Sequence, residues 1–136
     1  MKRLNVAAIS GALALIAASG LTAAPAATSA SYTAQQAYRG RLQYYESCAE
    51  CHGGKLEGVF GPALAGGDDN LQYQAVKDVY TYMATHMPHG NPMSLTGDQY
   101  AAIMAFLMQQ HGLPGGTQAL TKQAVTADKT LMGNGR

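Results

Sequence analysis

With 136 residues and a formal charge of +1, the chain is sized for one domain and has no excess of basic residues. Charged residues make up only 12% of it. No basic stripe is available to neutralise phosphates, so nucleic acid is not an expected partner, and a protein partner is expected to meet an apolar patch with weak steering.

Lys2 and Arg3 open the chain, and no further charge follows until Arg39. Val6 to Leu21 is largely Ala, Leu, Ile and Val. Ala24-Pro25-Ala26 then offers an A-x-A cleavage site, with Thr28-Ser29-Ala30 as a second candidate. This is the layout of a cleaved secretory signal peptide over residues 1–26. The apolar run is shorter than the roughly 20 residues of a spanning helix and is softened by Ser10, Gly11, Ser19 and Gly20. A permanent anchor is the weaker reading. Cleavage after Ala26 removes two of the nine Lys and Arg, leaving seven against eight Asp and Glu on 110 residues. The mature protein is expected in the periplasm, touching membrane only through partners.

Four helices are expected beyond the leader, with no stretch alternating like a strand. The first spans about Thr33 to Cys48, where Ala37, Tyr38, Leu42, Tyr44 and Tyr45 recur near a 3.6-residue period. The second spans about Gln72 to Thr85, with Val76, Val79, Tyr80 and Met83 on one face. The third begins at a Ser94 or Thr96 cap, has Asp98 in its first turn, carries Tyr100, Ile103, Phe106 and Leu107, and stops at Gly112 with Pro114 beyond. A weaker helix falls between Thr121 and Leu131. Two long Gly/Pro-rich loops, His52 to Asn70 and Met87 to Leu95, separate them, and loops of that kind are usually functional or disordered.

The first helix runs into Cys48-Ala49-Glu50-Cys51-His52. C-x-x-C-H is the attachment signature of c-type haem. Both thiols can form thioethers with the vinyl groups of one porphyrin, and the following His52 is held under the iron as a ligand. A disulfide would close too short a loop to constrain the unfolded chain much. A thioredoxin-like pair needs a βαβ context, and a structural zinc site needs a second ligand pair that His86, His89 and His111 do not form.

From about Tyr38 to Gly112 the chain resembles bacterial class I cytochromes c. Gly40 and Tyr44 stand where that family has a glycine eight residues, and an aromatic four residues, before the first haem cysteine. The resemblance implies an all-α fold in which Gly40 lets the first helix cross the last one closely, against Ile103 and Phe106. Gly61-Pro62-Ala63-Leu64-Ala65-Gly66 matches the family's Gly-Pro-x-Leu-x-Gly. It implies that the Pro62 carbonyl accepts a hydrogen bond from Nδ1 of His52.

The sixth iron ligand is sought among the methionines. Met83, Met104 and Met108 read as core and Met132 as tail, which leaves Met87 and Met93. Met87 precedes Pro88 and is therefore pushed out of the α region. The same Met-Pro pair carries the sixth ligand in many members of the family. Met93 stands in Pro92-Met93-Ser94-Leu95, where small cytochromes serving periplasmic alcohol and quinoprotein dehydrogenases usually read Pro-Gly-Ser-Leu. Met87 is preferred, Met93 is the alternative, and His86 and His89 follow. All three histidines beyond His52 are otherwise read as solvated, His111 with a favourable place at a helix C-terminus.

The domain layout is a leader over 1–26, a cytochrome domain over 31–112 and a tail over 113–136, extended enough to wrap a partner. The resemblance implies a haem c protein, not an enzyme by itself. It would carry one electron at a time in a respiratory chain, between a periplasmic dehydrogenase and a cytochrome or terminal oxidase. Two alternatives are a haem catalyst or sensor with an open sixth position, and a dedicated cytochrome subunit of a dehydrogenase complex.

Overall fold

The computed structural model describes residues 30–67 and 69–135; the leader lies outside them. The described residues form five α-helices and two 3₁₀ turns, Leu71–Tyr73 and Met132–Gly135. They form no strand, and no helix among them is long and apolar enough to cross a membrane.

Helix α1 (Ala34–Ser47) starts at Thr33, whose hydroxyl accepts the Gln36 N–H. It buries Gln36, Ala37, Gly40 and Tyr44, whereas Tyr38, Leu42 and Tyr45 stay exposed. The apolar period read from the sequence therefore caught only part of the buried face. The reason is specific: Gln36 is buried because Nε2 donates to the Leu120 carbonyl at 2.8 Å while Oε1 accepts the Leu120 N–H at 2.7 Å.

Helix α2 (Ala49–His52) is one turn carrying the haem motif. Helix α3 (Val76–His86) buries Val76, Val79, Tyr80 and Met83, the face expected from the sequence. Helix α4 (Gly97–Gln110) begins with a reciprocal capping box between Thr96 and Gln99 and is buried continuously from Tyr100 to Met108. Helix α5 (Lys122–Ala127) is capped by Thr121.

Helices α1 and α4 cross with their backbones almost touching. A Cβ at Gly40 would fall 1.8 Å from the Ala102 carbonyl oxygen, so only glycine permits this approach. Tyr44 and Phe106 pack at the same crossing, ring centroids 5.5 Å apart.

Residues 113–135 fold back on the body and are not an extended arm. Leu113, Leu120, Val125 and Met132 are buried, and the Tyr32 hydroxyl donates to the Leu113 carbonyl at 2.6 Å. Helix α3 has no side-chain N-cap. Its first amides, Val76 and Lys77, donate instead to the carbonyls of Thr130 and Asp128, each at 2.9 Å. The C-terminal segment thus satisfies donors that every helix start leaves unpaired.

His111 departs from the sequence reading: it is fully buried. Its Nε2 donates to the Leu64 carbonyl at 2.9 Å and lies 3.7 Å from Asp69 Oδ1. The helix end that should have placed it in water is covered by the loop after Pro62.

Candidate haem site

The site grows from the junction of α1 and α2. Tyr44, fully buried, donates through its hydroxyl to the Gly53 carbonyl at 2.6 Å, and Tyr45 donates to Gly54 at 3.0 Å. Two successive tyrosines of α1 thereby tie down the chain that follows His52. Burial raises the Tyr44 phenol pKa well above its ordinary range, with Cys48 and Glu57 adding to the effect.

The next turn is built around one carbonyl. The oxygen of Cys51 accepts from the amides of Val59, Phe60 and Gly61 at 3.1, 3.0 and 2.8 Å, and the His52 oxygen accepts from Gly58 at 2.8 Å. Gly58 has φ +80°, and a Cβ there would meet the Ala63 nitrogen at 2.7 Å. This compact turn delivers Pro62 to the His52 ring, whose Nδ1 lies 2.8 Å from the Pro62 oxygen. A carbonyl only accepts, so Nδ1 carries the proton, and a neutral ring keeps its lone pair at Nε2. Among the described residues no group bonds Nε2.

Gly61 is the contributor whose role sequence reasoning missed, although its motif was noted. A Cβ there would stand 2.8 Å from His52 Cε1 and 2.9 Å from Nδ1. The imidazole occupies the space a side chain at position 61 would need, and the signal for this was the glycine before Pro62. Gly61→Ala is expected to leave haem attached while tilting the imidazole and loosening its hold. Losses among groups that support a metal ligand typically weaken a site roughly 10- to 100-fold. Pro62→Ala, which keeps the carbonyl, should do less. A guanidinium titration followed at the haem absorbance checks this, and a Gly61→Ala midpoint equal to wild type would show that the ring tolerates the methyl.

Cys48, Cys51 and His52 open onto a cavity of about 580 Å³, within the usual range for small-molecule and cofactor sites. Its walls are Val79 and Met83 from α3, Ile103 and Leu107 from α4, and the Pro62–Leu64 turn. Met87, Pro88 and His89 line it as well. Met87 is half-buried at the end of α3 in extended backbone, φ −116° and ψ 154°, with a cis bond to Pro88. Met93 is not among the lining residues and is 68% exposed. Its φ of +61° is the left-handed region that favours glycine, which accounts for the glycine the resembling cytochromes carry there. His86 also lies outside the lining, stacked on Tyr82 with centroids 4.5 Å apart. Met83, read from the sequence as core, lines the cavity too, one turn before Met87.

The donor set fits a covalent haem. Two thiols, an imidazole whose Nε2 has no partner among the described residues, and a thioether face one apolar cavity of adequate volume. Cys48 does not resemble a reactive thiol, because burial pushes it up to about 11, with Cys51 adding to the effect. Reactive C-x-x-C thiols are shifted the other way. Among the described residues no group of three His, Cys, Asp or Glu is placed to hold a bare metal ion.

An all-α fold closing on a C-x-x-C-H turn and an apolar cavity defines a c-type cytochrome domain. Residues 35–107 match the family model described as cytochrome c oxidase, cbb3-type, subunit III. The chain belongs to that family and is a class I c-type cytochrome, with haem c and its iron as the cofactor. Among solved structures, a chain in the crystal structure of the sulfane dehydrogenase SoxCD from Paracoccus pantotrophus is similar to it, with a TM-score of 0.58 and 31% identity. The likeness covers 66% of this chain and 50% of that one, so this chain spans half the length of its structural neighbour. No curated protein matches the chain.

Proposed function

We propose that this cytochrome carries single electrons in the periplasm, from a dehydrogenase to a downstream cytochrome or terminal oxidase, with Cys48 and Cys51 in thioethers and His52 and Met87 on the iron. The observation that carries this reading is the convergence of those four side chains on one apolar cavity.

When bound, haem c supplies a one-electron couple at its iron. Cys48 and Cys51 would hold it through thioethers, each S–H adding across one vinyl group with nothing released. His52 is oriented through Nδ1 by Pro62 and presents Nε2. Val79, Met83, Ile103 and Leu107 exclude water, which limits the charge reorganisation around the couple. His52 and Met87 would both hold the iron, which would leave no open position for oxygen or peroxide; their shared place on the cavity wall supports a carrier over a catalyst or sensor. A thioether ligand favours a higher potential than a second histidine.

Val59 and Phe60 are 62% and 85% exposed on the turn whose amides converge on the Cys51 carbonyl. They offer a rigid apolar contact beside an attachment cysteine, as expected for a partner met with little charge steering. The likeness to a chain of a dehydrogenase favours the subunit alternative as a second reading. Copurification of a dehydrogenase through 0.5 M salt would favour it over a free carrier.

Ala30 is buried, and its N–H donates to Asp128 at 2.9 Å. That contact supports cleavage after Ala26 over cleavage after Ala30. Intact mass of the exported protein is the direct test: it should equal residues 27–136 plus one haem, surviving denaturation and acid-acetone. Haem released by acid-acetone would refute covalent attachment, and a full-length membrane-bound mass would refute cleavage.

A further inference from the structure

We infer that Tyr100 is the positioning residue for Met87, its hydroxyl locking the backbone from which the sixth ligand projects. The inference rests on the proposed ligation of iron by Met87.

Tyr100 lies in the second turn of α4, 4% exposed, and its hydroxyl donates to the Met87 carbonyl at 2.6 Å. That carbonyl belongs to the end of α3, where the last oxygens have no partner within the helix. In a continuing helix it would accept from the Asn91 amide, but that amide donates to Pro88 instead, at 3.0 Å. Met87 N–H meanwhile donates to the Met83 carbonyl at 3.0 Å. Both backbone polar groups of Met87 are therefore tied, one to α3 and one to α4. Beyond it, residues 89–94 are all exposed until Thr96 caps α4.

A residue that only filled the core at position 100 would need no hydroxyl. Phenylalanine supplies nearly the same apolar volume, whereas a buried phenol needs a partner. The partner here is the carbonyl of the one cavity-lining methionine in extended backbone. With that carbonyl held, the Met87 side chain has only its own torsions to search. Without it, the segment from Met87 to Leu95 is anchored at its start by the Met83 bond alone, and a loose segment surrenders its ligand more readily to a competitor.

The test is a double-mutant cycle on the ferric haem protein, read by imidazole titration and by the weak far-red band that reports sulfur on iron. Tyr100→Phe should retain the band and bind imidazole about three- to tenfold more tightly than wild type, the order expected for loss of one hydrogen bond. Met87→Ala should lose the band and bind imidazole more tightly still. Adding Tyr100→Phe to Met87→Ala should change imidazole affinity no further, because no ligand remains to be positioned. Wild-type affinity in Tyr100→Phe overturns the inference, leaving Tyr100 a helix-end cap and Met87 a ligand. An equal gain from Tyr100→Phe with and without Met87 also overturns it, placing the effect on the cavity. Retention of the band in Met87→Ala would instead sink the ligation reading, and the inference with it.

Discussion

Met87→Ala is expected to abolish the far-red band of the ferric protein and to lower its reduction potential by on the order of 0.1 V, within the roughly 0.8 V over which axial ligands set haem potentials. The argument is positional. Met87 lines the cavity from extended backbone, whereas Met93 is exposed in a left-handed turn. Met93→Ala is therefore the control. It should leave band and potential unchanged and alter stability by no more than about 1 kcal/mol. The reverse pattern, with Met93→Ala losing the band, would assign the ligand to the other methionine. Retention in both single variants would turn attention to Met83 and His89, which also line the cavity. Visible absorbance and a spectroelectrochemical titration of the three proteins decide among these outcomes.

Gly40→Ala is expected to be strongly destabilising. Two effects oppose each other. Alanine gains about 1 kcal/mol over glycine in a helix interior. The added Cβ, however, would lie 1.8 Å from the Ala102 oxygen and 2.4 Å from its carbon. Both are backbone atoms of a buried helix, so no flexible side chain can swing aside. The helices must separate by more than 1 Å, loosening the Tyr44–Phe106 contact above the haem motif. Overpacking of this kind typically costs 1–3 kcal/mol and occasionally more; a net loss of about 3 kcal/mol would lower Tm by roughly 10 °C or more. Gly97→Ala is the matched control, because a Cβ there meets nothing within 4 Å. Thermal unfolding should show it neutral or slightly stabilised. Equal behaviour of the two variants would mean that the crossing tolerates a methyl group.

The division between what the sequence by itself determined and what needed the tertiary structure follows the range of the interactions involved. Helix starts near Thr33 and Thr121, and at Thr96 as one of two candidates with Ser94, were legible because the signals of a helix start act within a few residues of one another. The inner face of α3 was legible because one helical period decides which residues share a side. The C-x-x-C-H motif was legible for the same reason: the two thioethers and one iron bond it would make all fall inside five residues. Even the Pro62 bond to His52 closes over ten residues, within one loop.

What stayed hidden was set by groups far apart along the chain. Gln36 lies outside the apolar period of α1, and its burial follows only from Leu120, 84 positions away, pairing with its amide. His111 reads as a solvated helix end until the Leu64 carbonyl covers it. The segment after Leu113 has little apolar period of its own, yet it supplies the carbonyls that begin α3 and so fixes the helix from which Met87 projects. No local pattern encodes such pairings, because each partner's sequence is compatible with water until folding removes it. The same holds for the two methionines: both sit beside prolines in one loop, and only the packed backbone turns Met87 toward the cavity and leaves Met93 in solvent.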